Sequence, residues 1–144
     1  MYSKIMWATD GSAAADAALP QVRELASANG TAIVVLHCNE TMVGPRAYGL
    51  DVKLDEPELQ EKISRQAEEL KGEGFNVTTE FVTGHAGIAA HAIAEAAKSD
   101  GADLIVVGTR GHSALAGVIL GSVTQKLLHL ATCPVLCVPS PRDN

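Results

Sequence analysis

Leu104-Ile105-Val106-Val107-Gly108-Thr109-Arg110-Gly111, followed after nine residues by Gly121-Ser122-Val123-Thr124, joins a short apolar run to two glycine-marked polar segments. A run of Leu, Ile and Val this short, bounded by Asp103 and Gly108, reads as a buried strand. Gly108 and Gly111 allow a sharp turn and a close backbone approach to an anion. Gly121-Ser122 opens a helix whose first N–H groups point outward. Both halves then aim donors at one place, as a phosphate cradle does. The spacing is neither that of a P-loop, G-x-x-x-x-G-K-[ST], nor that of the dinucleotide fingerprint, G-x-G-x-x-G, and neither pattern occurs in the chain.

Outward from this stretch, apolar runs at 4–8, 32–37, 77–82 and 134–138 resemble the one at 103–107 and give five strands in all. Helical periods fill the gaps between them. After Asp10-Gly11-Ser12, one face carries Ala15, Ala18, Val22, Leu25 and Ala26 up to Asn29-Gly30, with a bend expected at Pro20. A second helix starts near Pro57, carries Leu59, Ile63, Ala67 and Leu70, and ends at Gly72. The third, about 86–98, turns Ile88, Ala89, Ala92, Ile93 and Ala96 inward; the fourth, 122–130, turns Val123, Leu127 and Leu130 inward. Ser122-x-x-Gln125 also reads as a capping box, so Ser122 has both a capping and a phosphate reading. Residues 40–56 form the long connection without a period, and Arg46 and Tyr48 on it are placed to fold over a base or to remain in a loop with no ligand role.

Alternating strands and helices imply parallel pairing with right-handed crossovers. The fold class is α/β: a doubly wound, five-stranded parallel sheet of the flavodoxin or Rossmann-like kind, with four helices on both faces. In the order 3-2-1-4-5, the strands at 4–8 and 103–107 are neighbours whose outgoing helices leave to opposite faces. A ligand crevice then opens at their carboxyl ends. Periodicity alone does not choose that order.

The chain's 144 residues and 47% hydrophobic content fit one globular domain spanning 1–144. A domain of this size buries roughly two thirds of the surface its unfolded chain exposes. A formal charge of −6 and the lack of Lys/Arg clusters argue against nucleic acid or an anionic membrane as partner. No apolar run approaches the roughly 18 residues of a membrane span, and no signal pattern precedes the first strand, so a cytoplasmic location is expected. Asn39-Glu40-Thr41 and Asn76-Val77-Thr78 are then chance sequons. Cys38, Cys133 and Cys137 show no redox or zinc spacing and read as reduced core thiols. His37, His85, His91, His112 and His129 lack any paired ligand spacing and read mostly as surface or strand-end residues. No catalytic residue and no metal ligand is assigned.

Taken together, Ala8-Thr9-Asp10-Gly11-Ser12, Leu36-His37-Cys38, Gly84, Gly101 to Gly108, the G-x-x-G-(nine)-G-S pattern and Cys133-Pro134-Val135-Leu136-Cys137-Val138 resemble the universal stress protein family, in its ATP-binding branch. The resemblance favours the strand order 3-2-1-4-5. It implies that Asp10, beside Thr9, contacts the nucleoside, and that Cys38 keeps an apolar wall against adenine. Gly108, Thr109, Arg110 and Gly111 would line ribose and phosphate, with Gly121, Ser122, Val123 and Thr124 closing the far side. Asp10 has a second reading as a helix cap, a role open to Ser12 as well. Arg110, the motif's cation, is either a fork on phosphate or simply solvated.

The function implied is a stress-response sensor or signalling protein that holds ATP or AMP, with Mg²⁺ accompanying a triphosphate. The alternatives are an enzyme using adenylate chemistry or slow ATP hydrolysis, and a dimerisation module with a vestigial motif. A homodimer through the strand Pro134–Val138, which the resemblance puts at the sheet edge, is expected in each case, the other reading being an edge protected by the tail Pro139-Ser140-Pro141-Arg142. Two positions depart from the family pattern. Trp7 demands extra core volume, and Gly87, within His85-Ala86-Gly87, weakens a helix start by about 0.5–1 kcal/mol relative to Ala.

Overall fold

The computed structural model describes residues 1–27, 30–41, 56–85, 87–109 and 121–141. In chain order the elements are β1 (Lys4–Ala8), α1 (Ala13–Asp16), α2 (Leu19–Ala26), β2 (Ala32–Thr41) and α3 (Glu56–Gly72). They continue with β3 (Asn76–His85), α4 (Ala89–Asp100), β4 (Leu104–Gly108), α5 (Ser122–Leu130) and β5 (Val135–Val138). Five strands make one sheet in the order β3-β2-β1-β4-β5, with every pairing parallel. This is the expected doubly wound α/β architecture.

Side-chain alternation along the strands divides the core into two layers. Ile5, Trp7, Ile33, Val35, Leu104 and Val106 face α2 and α3, where Val22, Ile63 and Leu70 meet them. Met6, Ala8, Val34, Leu36, Ile105 and Val107 face α4 and α5, where Ile93, Ala97 and Leu127 meet them. Strands buried on both faces read as continuous apolar runs, which is why β1 and β4 stand out in the sequence. The helices leaving β1 and β4 therefore lie on opposite faces, and the sheet opens between their carboxyl ends. At the opposite end Asp103 clamps the two strands, its carboxylate accepting from Ser3 N (2.8 Å) and Lys4 N (3.0 Å). Burial works against that charge, yet the two backbone N–H donors hold the Asp103 carboxyl below its ordinary value.

Several expected boundaries shift for identifiable reasons. The first helix is broken into α1 and α2, and the break precedes Pro20 rather than coinciding with it. Pro20 lacks the N–H that would bond Asp16 O, while Ala15 O receives the indole Nε1–H of Trp7 at 3.2 Å. Ala18 N turns back to Ala15 O at 3.1 Å, a tighter turn than the α-helix makes. Pro20 then sits harmlessly in the first turn of α2.

Both β2 and β3 run past the predicted 32–37 and 77–82, pairing with each other as far as Thr41 and His85. Their polar outer ends carry no apolar period to read. α4 starts at Ala89, not near 86, because Gly87 has φ +86°, outside the helical region. The inward face of α4 is Ala89, Ala90, Ile93, Ala94 and Ala97, a frame offset from the one expected. In α5 the buried residues are Thr124 and Leu127, whereas Val123 and Leu130 are exposed at 36% and 44%. Arg46 and Tyr48 lie outside the described residues.

Candidate functional site

At the end of β1 the chain is tied into a rigid loop. Thr9 is buried, its N–H donating to Leu36 O (2.9 Å) and its Oγ1 accepting from Gly11 N (3.0 Å). Asp10 Oδ1 accepts from Ser12 N at 2.9 Å, which makes an Asx turn, and Ser12 Oγ accepts from Ala15 N at 3.2 Å. Of the two candidate caps, then, Ser12 is the N-cap of α1. Gly11 adopts φ +80°, and a Cβ there would lie 2.6 Å from Leu59 Cδ2 of α3. Lys62, also on α3, donates to Gly11 O and to Asp16 Oδ2, each at 2.7 Å. The Asp10–Ser12 loop is thus gripped by α3 from one side.

His37, expected at the end of its strand, is buried within β2, which runs on to Thr41. A carbonyl can only accept, so the 2.9 Å contact between His37 Nδ1 and Thr9 O places a proton on Nδ1. The ring also meets Phe81 edge-on, with centroids 6.2 Å apart. His37 therefore ties β2 to the turn after β1. Cys38, the next residue, is half-buried. Neither His37 nor Lys62 carries a sequence signal for these roles, because both depend on register between elements distant in the chain.

At the end of β4, Thr109 N donates to Val138 O (3.1 Å) and Gly121 N donates to Thr109 O (2.7 Å). The two flanks of the glycine motif are thereby joined by one hydrogen bond. Gly121 occupies the N-cap of α5 in an extended conformation with no side-chain cap, and Gln125 N donates to Gly121 O at 3.0 Å. Ser122 is consequently the first helical residue. The capping-box reading of Ser122 is corrected: Ser122 stands one position inside the helix, past the N-cap from which a hydroxyl reaches forward to the third N–H. Ser122 and Val123 are exposed and Thr124 is buried, its Oγ1 donating to Gly108 O at 3.1 Å.

Gly108 proves to be required for a reason the sequence does not reveal. A Cβ there would lie 2.5 Å from Ala14 O, 2.8 Å from Ala14 C and 3.1 Å from Ala15 N. The missing side chain admits the backbone of α1. Through this contact the loop after β1 and the start of α5 are held side by side. Arg110, Gly111 and His112 lie outside the described residues.

Of the site residues expected, Thr9, Asp10, Gly108, Thr109, Gly121, Ser122, Val123 and Thr124 gather at the carboxyl ends of β1 and β4. Cys38 lies one strand further out, on β2. Among the described residues no group of His, Cys, Asp or Glu is arranged to hold a metal ion. Burial raises the Cys133 thiol, with Asp103 adding to it, and burial alone raises Cys137, so both favour the protonated thiol.

Residues 1–139 match the model of the universal stress protein family. The chain belongs to that family. A universal stress protein from Thermus aquaticus is 36% identical over 144 residues, covering 96% of this chain and 99% of its own length. The solved structure of MJ0577, a universal stress protein of Methanocaldococcus jannaschii, superposes with a TM-score of 0.72 at 27% identity, over 99% of each chain. A universal stress protein solved in complex with cAMP shares the fold, with a TM-score of 0.68 at 24% identity, over 96% of this chain and 97% of that one. No helix among the described residues of this universal stress protein is long and apolar enough to cross a membrane.

Proposed function

We propose that this universal stress protein binds an adenine nucleotide, ATP foremost, and acts as a stress-response sensor or signalling protein. The observation that carries the reading is the Gly121 N to Thr109 O hydrogen bond of 2.7 Å, beside a helix start that has no side-chain cap. The first N–H groups of a helix have no intrahelical acceptor, and the helix dipole favours an anion at that end. Phosphate supplies both the charge and the acceptors. Asp10 and Thr9 stand at the neighbouring strand end, where a carboxylate suits ribose hydroxyls or an adenine amine. Cys38 would form the apolar wall against the base.

In this reading Gly108, Thr109, Arg110 and Gly111 line ribose and phosphate, while Gly121, Ser122 and Val123 close the far side and Thr124, expected there too, is turned inward to Gly108 O instead. The cAMP complex of a family member supports an adenine nucleotide as the ligand class. Mg²⁺ would accompany a triphosphate, held by phosphate oxygens and water in the absence of a carboxylate cage among the described residues. Any ATP hydrolysis is slow and incidental to holding the nucleotide. The protein acts in the cytoplasm as a homodimer, with two copies pairing through Pro134–Val138 at the sheet edge, where β5 is the outermost strand among the described residues. A monomer by light scattering at micromolar concentration would exclude the pairing.

The test is mass spectrometry of copurifying nucleotide, with calorimetric titration of stripped wild type and Gly121→Val by ATP. Gly121 has φ −66° and ψ 157°, a conformation valine adopts readily, so the variant tests the approach of a ligand without backbone strain. ATP binding by the wild type and its loss in the variant are expected. No heat from any adenine nucleotide with the stripped wild type would refute the reading and leave the motif a structural one.

A further inference from the structure

Resting on the nucleotide-binding reading above, we propose that Thr124 is a positioning residue that sets the grip on phosphate without touching the ligand. Thr124 is the third residue of α5, in the same turn as the exposed Ser122 and Val123. Its side chain points the other way. It is buried, and its hydroxyl donates to the Gly108 carbonyl at 3.1 Å. The same glycine receives the backbone of α1 on its Cβ side, at Ala14 and Ala15. Ala15 O in turn accepts from Trp7 Nε1, and Ala15 N donates to the Ser12 cap.

Gly108 is therefore the shared support of both loops, and Thr124 is the hydrogen bond that fastens α5 to it. Donors aimed at a charged group work by being fixed in place beforehand, and misplacement by about 1 Å weakens them sharply. Removing the hydroxyl leaves a buried carbonyl without that donor and frees the first turn of α5 to shift. The N–H groups of that turn would then lose their aim at phosphate. Asp10 and Cys38, held by β1 and β2 with His37, would keep theirs. The resulting signature is loss of affinity for phosphate with retention of affinity for the nucleoside.

The experiment compares ATP, by calorimetry, with adenosine, by competition, on wild type, Thr124→Val and Thr124→Ser, all verified as folded by circular dichroism. Thr124→Val keeps the side-chain shape and should bind ATP about tenfold more weakly, the worth of one well-placed hydrogen bond. Its adenosine affinity should be unchanged, and Thr124→Ser should restore ATP binding to near wild type. Thr124→Ala, which also lacks the hydroxyl and suits a helix, makes the same comparison should the valine variant not fold. Unchanged ATP affinity in the hydroxyl-free variants, or an equal loss for ATP and adenosine, would overturn the positioning role while leaving nucleotide binding intact. A wild type that binds neither ligand would overturn the nucleotide-binding reading itself, and this inference with it.

Discussion

Gly108→Ala adds a single methyl group where the backbone of α1 lies against β4, and its cost follows from what that methyl meets. The new Cβ would stand 2.5 Å from Ala14 O and 2.8 Å from Ala14 C, both backbone atoms of α1. Carbon atoms settle at separations near 3.5–4.0 Å, so α1 and β4 must part by roughly 1 Å. A flexible side chain would swing aside, but a helix backbone must move as a piece. That movement pulls Ala15 O from Trp7 Nε1, a bond already 3.2 Å long. Overpacking of this kind costs about 1–3 kcal/mol, set against a gain of about 0.4–1 kcal/mol from the stiffer unfolded chain. A net loss of roughly 1.3 kcal/mol corresponds to a melting temperature about 4 °C lower. Trp7 is the chain's one tryptophan and is fully buried beside the contact, so its emission reports both the shift in the native state and the urea transition. A Gly108→Ala protein as stable as the wild type, with unaltered Trp7 emission, would refute the close approach of α1.

Two further outcomes follow from contacts away from the motif. Trp7→Phe removes the indole donor to Ala15 O and part of a fully buried ring; thermal melts by circular dichroism should show a loss of about 1–3 kcal/mol, and no change would show that the bond does not hold α1. Glu80→Gln tests a carboxyl pair, since burial first, and then its hydrogen bond and charge contact with Asp100, raise Glu80 above its ordinary 4.5 against the opposing effect of Lys4. A raised folded value means that the stabilisation is complete below the unfolded value and is lost as pH rises through the folded one. Urea melts should show the wild type gaining on Glu80→Gln as pH falls from 7 toward 4.5, and parallel pH profiles would refute the pairing.

Much of the fold was legible because strands buried on two faces cannot hide. Leu104 to Val107 and Ile5 to Ala8 are apolar without interruption, and the glycine and polar residues at their ends mark where the chain leaves the sheet. What was not legible depends on contacts between segments far apart in sequence. The outer halves of β2 and β3 are strands because each pairs with the other, although Asn39 and Thr83 carry no apolar period. At the break between α1 and α2, Ala15 O accepts from the Trp7 indole as well as standing ahead of Pro20, a contact the local sequence does not show. The face of α5 was misread because Thr124 is buried by a hydrogen bond to Gly108, a reason no hydrophobic pattern records.

The same distinction bears on what a glycine motif means. Gly108 and Gly121 belong to one spacing pattern, yet different physical demands act on them. Gly108 is constrained by the backbone of α1 lying where its side chain would be, and that demand exists whether or not a ligand ever binds. Gly121 has an ordinary extended backbone, and among the described contacts its bonds to Thr109 O and from Gln125 N use only main-chain atoms that any non-proline residue would supply. The helix start beside Gly121 favours an anion. Loss of ATP binding in Gly108→Ala would be ambiguous between a displaced α1 and a lost contact. Loss in Gly121→Val, with the melting temperature unchanged, would not be.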